Sequence, residues 1–279
     1  LSERPASGLK GNLRLVCRAD PVRGTFLAGQ FFCAPVHLSK AYWNGDALLV
    51  NVVNQTAGIF GGDSITAHVV VEPGARVLLT SPSAARFHPS QSRESRLRQI
   101  FEVRAGGSLD FCPEISIPQR DSRSMQETVV EVERGGELLY LETFAPGRVA
   151  SGETFAFARY AWKTDIRVAG RLVHRERAAI ASDQPKSMAG LRAFFPAGYY
   201  AGFVVISPEA EKWDADFARE VAGVAGDLPA QIAASRLTAH GWSIRVLAAD
   251  SLALRESIRR LRALIYARLQ RPLPDARRH

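Results

Sequence analysis

The chain has 279 residues, 46% of them apolar and 23% charged, which is enough core material to exclude a wholly disordered protein. No apolar run approaches the roughly 18–20 residues that a membrane-spanning helix needs, and residues 1–13, which start without Met and read as trimmed, contain no apolar signal stretch. The formal charge is +8, and residues 251–279 hold eight Arg against Glu256 and Asp275, so a basic end points either to an acidic partner or to a solvated helix face.

Alternation dominates the first two thirds. Ile65, Ala67, Val69 and Val71 fall on one face, with Thr66, His68 and Glu72 on the other. Residues 99–103, 128–133, 137–143 and 163–168 are rich in β-formers between Gly and Pro, so each reads as a strand. Phe155 and Phe157 alternate with Thr154 and Ala156 in the same way. A weak repeat runs through this region. Val71-Glu72-Pro73-Gly74-Ala75-Arg76-Val77, Val103-Arg104-Ala105-Gly106-Gly107-Ser108-Leu109 and Val132-Glu133-Arg134-Gly135-Gly136-Glu137-Leu138 succeed one another at spacings of 32 and 29 residues. Each unit is strand, Gly turn, strand, which suits either stacked β layers or three ordinary hairpins in a sandwich.

Helices arrive late. Residues 208–224 place Trp213, Phe217 and Val221 on one helical face. Residues 232–237 and 242–247 read as two strands. Asp250 then caps a second helix in which Leu254, Ile258, Leu261, Ile265 and Leu269 recur, stopped by Pro272 and Pro274. The expected fold class is mainly β: a body of stacked strand layers, β-helix-like or sandwich, over residues 1–207. A smaller α+β end of about two helices follows over residues 208–279 and finishes in a basic helix, the whole forming one continuous unit.

Standard catalytic signatures are missing: GxSxG, HExxH, P-loop and GxGxxG are all absent. Cys17, Cys33 and Cys112 have no CxxC spacing, which argues against a zinc ribbon or a disulfide framework and fits a reducing cytoplasm. Three features stand out. Residues 54–63 bring Gly58, Gly61 and Gly62 to a corner that ends in Asp63, either a cation ligand or an acceptor for a buried backbone N–H. Glu142 interrupts an apolar strand, so it must be hydrogen-bonded, paired or metal-bound; nearby, Arg148 and Glu153 flank a turn of small residues, and an Arg148–carboxylate pair is a structural answer. Glu176 lies between Arg175 and Arg177, where a surface ion pair is the plain alternative.

In combination these segments resemble the UreD (UreH) family of urease accessory proteins. The run from Val52-Val53-Asn54 through Gly58 to Gly61-Gly62-Asp63 is similar to that family's glycine-rich hallmark. So are Pro73-Gly74-Ala75-Arg76-Val77-Leu78-Leu79-Thr80, Phe111-Cys112-Pro113-Glu114 with Ile117-Pro118, and Glu142 followed by Gly147-Arg148 and Ser151-Gly152-Glu153. The segment 81–88 departs from the family's usual pattern, with Arg86, Phe87 and His88 where Lys, Tyr and Arg are common.

The resemblance implies a non-enzymatic, cytoplasmic scaffold for nickel delivery. It would bind apo-urease and a UreF-type protein, and through the latter a UreG-type GTPase, with no nucleic acid or membrane partner. No cofactor would be tightly bound; nickel would pass transiently along an internal polar passage, with Asp63, Glu142, Glu176 and Ser83 as candidates to line it. Phe194, Phe195, Tyr199 and Tyr200, with Arg259 and Arg262 of the last helix, are candidates for a partner surface, unless they pack internally. Two other readings stand beside this one. One is a carbohydrate-active hydrolase using Asp63 and Glu142 about 5–10 Å apart. The other is a nucleic-acid or acidic-surface binder driven by the basic tail.

Overall fold

The structure, a computed structural model, describes residues 8–90, 93–182, 195 and 197–275. The repeat in the sequence is a stack of coils. Strands β6 (Ser64–Val71), β9 (Ser95–Val103), β12 (Arg123–Val132) and β14 (Arg159–Val168) lie parallel in one sheet. Between them the chain crosses to a second sheet through β7 (Arg76–Thr80), β10 (Ser108–Cys112) and β13 (Glu137–Phe144), also mutually parallel. Short strands β8 (Ala85–Phe87) and β11 (Ser116–Pro118) form a third side.

The repeat positions are register partners: Val71 lies opposite Val103, and Val103 opposite Val132. The glycine turns stack in the same way, with Gly74 N–H donating to Gly106 O and Gly106 N–H to Gly135 O. All three turn glycines have φ between 73° and 82°, a region that L side chains rarely adopt. Stacked layers, rather than three separate hairpins, are therefore the architecture.

The remaining strands close this stack. In the first sheet β1 (Lys10–Asp20) pairs parallel with β6, and β2 (Gly24–Cys33) and β15 (Arg171–Ala181) form antiparallel edges. In the second, β5 (Ala47–Asn54) lies beside β7. On the other flank β16 (Tyr199–Ile206), β18 (Gly241–Ala248) and β17 (Ala230–Arg236) extend the sheet antiparallel from β13. The second sheet thus takes strands from both sides of residues 207 and 208.

Two apolar layers result. One fills the space between the sheets, from Leu13, Leu15 and Val69 to Phe101, Phe144 and Tyr160. The other lies between the second sheet and two helices, α1 (Ala215–Gly223) and α2 (Ser251–Arg268), and includes Leu141, Phe203, Phe217, Val246 and Leu261.

Most sequence-derived elements appear, with longer limits. Two differ. Phe155 and Phe157 are not in a strand: Gly152 turns the chain at φ 73°, Phe155 follows at φ 53°, and both rings are buried from a loop. The helix expected over residues 208–224 is a short 3₁₀ turn, Ala210–Lys212, followed by α1, because Asp214 accepts from Asp216 N–H and restarts the helix as its N-cap. Trp213 therefore packs from the junction, not from the helix. Asp250 caps α2 as expected, accepting from Leu252 and Ala253 N–H.

Candidate functional site

A cavity of about 220 Å³ enters the space between the sheets. Its rim includes exposed Ala57, Ser83 and Arg86, its walls are largely aliphatic and aromatic, and its inner lining includes Gln99, Gln126 and Glu142. Strand alternation puts Glu142 there: on β13 it follows Leu138 and Tyr140 on the face that meets the inner core. On β12 the same inward face begins polar, Ser124, Gln126 and Thr128, before it becomes Val130 and Val132.

Among the described residues Glu142 has no cationic hydrogen-bond partner. Its Oε1 accepts from Gln126 Nε2 at 3.1 Å, and its Oε2 from Thr164 Oγ1 at 2.9 Å and Tyr140 OH at 3.2 Å. Thr128, itself bonded to Gln99, completes the network. Burial, and then the charge of Glu176, pushes the Glu142 carboxyl up to about 8. An unfolded carboxyl ionises near 4.5, so between these values the native state holds more protons than the unfolded one, and stability falls as pH rises. Glu142→Gln is expected to flatten that slope and to gain on the order of 3 kcal/mol at about pH 8. Urea denaturation at about pH 5 and about pH 8 measures it; a slope as steep as that of the parent would refute the argument.

Glu176 lies behind this network. On β15 it is the register partner of Thr164, whose hydroxyl reaches Glu142. It does not line the cavity. Its Oε1 accepts from Tyr200 OH at 2.6 Å and Trp162 Nε1 at 3.1 Å, while Arg245 Nη2 meets Oε2 at 2.7 Å. Burial pushes this carboxyl up, but the His174 imidazole, the Arg245 charge and the Tyr200 and Trp162 donors outweigh it and hold Glu176 down at about 2. Two neighbouring buried carboxylates thus differ sharply in proton affinity. Arg175 and Arg177, the expected partners of Glu176, instead turn to the opposite face and pair with Asp165.

The other candidates separate. Asp63 is buried, but not in the cavity lining; its two carboxylate oxygens accept from Leu9 N–H and Phe60 N–H, both at 2.8 Å. It locks its own turn and anchors the entry to β1, so it and Glu142 do not face each other across a site. Gly58 allows close approach of two chains, since a Cβ there would lie 2.4 Å from Arg86 O. Gly61 faces Ser90 just as tightly, and Gly62 takes φ 90°. Arg148 pairs in bidentate fashion with Glu153, not with Glu142, and Glu153 also accepts from Arg120 N–H.

The expected partner surface needs correction. Tyr200 is buried and committed to Glu176, and Phe195 and Tyr199 are half-buried against the two cores. Arg262 is buried too, its guanidinium clamping Asp110, because α2 turns that face onto the second sheet. Arg259 is exposed and pairs with Glu256. Phe194 lies outside the described residues.

Sequence reading missed Gln126, Thr164, Tyr140 and Arg245, and assigned Tyr200 to a partner surface instead of to Glu176. A signal existed for β12, where three polar residues occupy alternate positions on an otherwise apolar face. Arg245 and Tyr200 become neighbours of Glu176 only through the sheet pairing of β16 with β18. Among the described residues, no group of three His, Cys, Asp or Glu is placed to cage a metal ion, and no helix is long and apolar enough to cross a membrane. Cys17, Cys33 and Cys112 form no disulfide.

Comparison with known proteins gives a consistent result. A family model described as UreD urease accessory protein matches residues 9–278. A urease accessory protein UreD from Opitutus terrae is 38% identical over 270 residues, covering 96% of this chain and 98% of that relative. Proteins of the same name are 32% identical over 166 residues in Acetivibrio thermocellus, covering 58% of this chain and 63% of the relative, and 37% identical over 131 residues in Deinococcus radiodurans, covering 47% of each.

Proposed function

This chain belongs to the UreD family of urease accessory proteins, and on that footing we propose that it is a non-catalytic, cytoplasmic scaffold for nickel delivery in urease maturation. It binds apo-urease and a UreF-type protein, which brings a UreG-type GTPase, and nickel crosses the chain by way of the interior cavity. One observation carries the route: a solvent-reachable cavity whose inner lining holds Glu142, a carboxyl whose hydrogen-bond partners among the described residues are neutral.

Ni²⁺ accepts oxygen ligands and water, and a transfer path needs sites that release it. A carboxyl group among amide and hydroxyl oxygens, such as Glu142, is such a site, and Glu114 also lines the cavity; a cage of His and Cys would retain the ion. Ser83 marks the entrance, Glu142 receives the cation in exchange for its proton, and Glu176, ionised and paired with Arg245, lies behind it beyond the cavity lining. Asp63 serves the route only indirectly, by holding the corner that leads to the rim.

The test is co-expression of the tagged chain with apo-urease and the UreF-type and UreG-type proteins, read as retained complex and as nickel- and GTP-dependent urease activity. Glu142→Gln preserves side-chain size and removes the group that can give up a proton to bind the cation. It is expected to keep the complex and to lower the nickel content and activity of urease by about tenfold or more. Full activation by Glu142→Gln would remove the cavity from the route. Absence of any retained partner, with the chain shown to be folded, would remove the scaffold reading.

A further inference from the structure

The cavity between the sheets is wider and more apolar than the passage of a cation requires. At about 220 Å³ it has the room of roughly seven waters at ~30 Å³ each, and an apolar cavity of about 150 Å³ is enough to hold benzene. Its walls come from both sheets: Leu13, Ile65, Leu97 and Phe101 from the first, Leu79 and Phe111 from the second. A buried water needs roughly two to four polar partners, which such walls do not offer. Most of this space therefore favours an apolar body over water.

The inner end is polar, and its amides are only half used. Glu142 already has three hydrogen bonds, one of them from Gln126 Nε2. Gln99 Oε1 accepts from Thr128 Oγ1 at 3.0 Å. That leaves Gln99 Nε2 and Gln126 Oε1, one amide donor and one amide acceptor, without a hydrogen bond among the described residues. The two side chains stand on neighbouring strands: Gln126 on β12 is the register partner of Leu97, which precedes Gln99 by two positions on the same face of β9. Interior polar groups ordinarily find partners, so this pair suits a group that both accepts and donates, as a carboxamide does. An anionic head finds no cation at this end, because Arg86, the one cation among the described lining residues, is exposed at the rim. An ammonium head would have to draw Glu142 out of its three hydrogen bonds.

We infer that the cavity is a binding site for a small uncharged amphiphile, a carboxamide head on an apolar body of about six carbons, with the head between Gln99 and Gln126 and the body against Leu97, Phe101 and Phe111. The site stands on its lining alone. Its consequence rests on the nickel route proposed above: a ligand seated there covers Glu142 and inhibits transfer of the cation.

The experiment is calorimetric titration of the full chain at neutral pH with hexanamide, hexanoate, hexylamine and acetamide. The parent is compared with Gln99→Leu, which removes the free amide, and with Ala67→Leu, which fills space at the first-sheet wall. Circular dichroism melting shows that each is folded, and either variant alone suffices. The parent is expected to bind hexanamide saturably, with a Kd of about 0.1–1 mM, and each of the other three probes about tenfold more weakly or worse. Each folded variant is expected to lose about tenfold or more in affinity for hexanamide. No saturable binding of hexanamide by the folded parent overturns the site, and so does parental affinity in both folded variants. Tighter binding of hexylamine than of hexanamide assigns the inner end to a cation and overturns the uncharged head. In the activation assay, saturating hexanamide is expected to slow nickel- and GTP-dependent activation by the parent but not by Gln99→Leu, with mature urease unaffected. Binding without slowing overturns the inhibition and leaves the site. Absence of binding, with activation still lost in Glu142→Gln, overturns the site and leaves the nickel route.

Discussion

Arg262→Ala is expected to lower the stability of the fold by about 3–5 kcal/mol, the cost of leaving one member of a buried ion pair without its partner. The guanidinium donates from Nη1 and Nη2 to the two oxygens of Asp110, at 2.7 and 2.6 Å, and Tyr266 OH donates to Asp110 at 2.6 Å. Both charged residues are buried, and 152 positions separate them in sequence, so the pair ties α2 to the middle of the second sheet. Removing the guanidinium leaves a carboxylate with one phenolic donor under a helix. The triple variant Asp110→Leu, Arg262→Met and Tyr266→Phe removes every polar partner together. It should recover most of the loss, because the desolvation penalty disappears with the charges. Urea denaturation of parent, single and triple variants decides it; a single variant within about 1 kcal/mol of the parent would show that α2 is held by its apolar face alone.

That pair illustrates what a sequence exposes and what it conceals. The period of α2 is legible, since Leu254, Leu261 and Ile265 recur at helical spacing and are buried. Its arginines read as a basic face, and nothing local says that Arg262 turns inward to meet an aspartate on β10. Periodicity reports which residues share a face, not what the opposite element offers. The stacked layers were legible for the converse reason: spacings of 32 and 29 residues link positions that are direct register partners. Repetition converts a long-range contact into a local pattern.

The site was legible only in its anomalies. A carboxylate inside an apolar strand drew attention to Glu142, and its inward position follows from alternation alone. The sequence did not show how a buried charge would be accommodated. The answer is a carboxyl pushed up to about 8, and so largely protonated at neutral pH, held by neutral partners on three strands, β12, β13 and β14, which converge only in the folded sheet. Glu176 was harder, because its neighbours Arg175 and Arg177 suggested a surface pair. The pleat sends those two outward and Glu176 inward, and the cation that meets it, Arg245, comes from β18.

Asp63→Ala is expected to act through folding and not through the cavity. Its two carboxylate oxygens satisfy the backbone N–H groups of Leu9 and Phe60, and alanine leaves both without a partner. Asp63 is buried but Leu9 and Phe60 are exposed, so water can reach part of what is lost; at about 1–2 kcal/mol for each hydrogen bond the loss is about 2–4 kcal/mol. Asparagine should be little better: its oxygen can serve one N–H, while its amide nitrogen is placed against the other donor. If Asp63 acted as a cation ligand on the route, the two variants would instead keep parental stability and lose urease activation. The discriminating measurement is therefore denaturation beside activation, with activity expressed per folded chain. Parental melting together with lost activation would return Asp63 to the passage. Lowered melting, with activation restored per folded chain at a permissive temperature, is what a carboxylate bonded, among the described residues, to its own corner and to the entry of β1 requires.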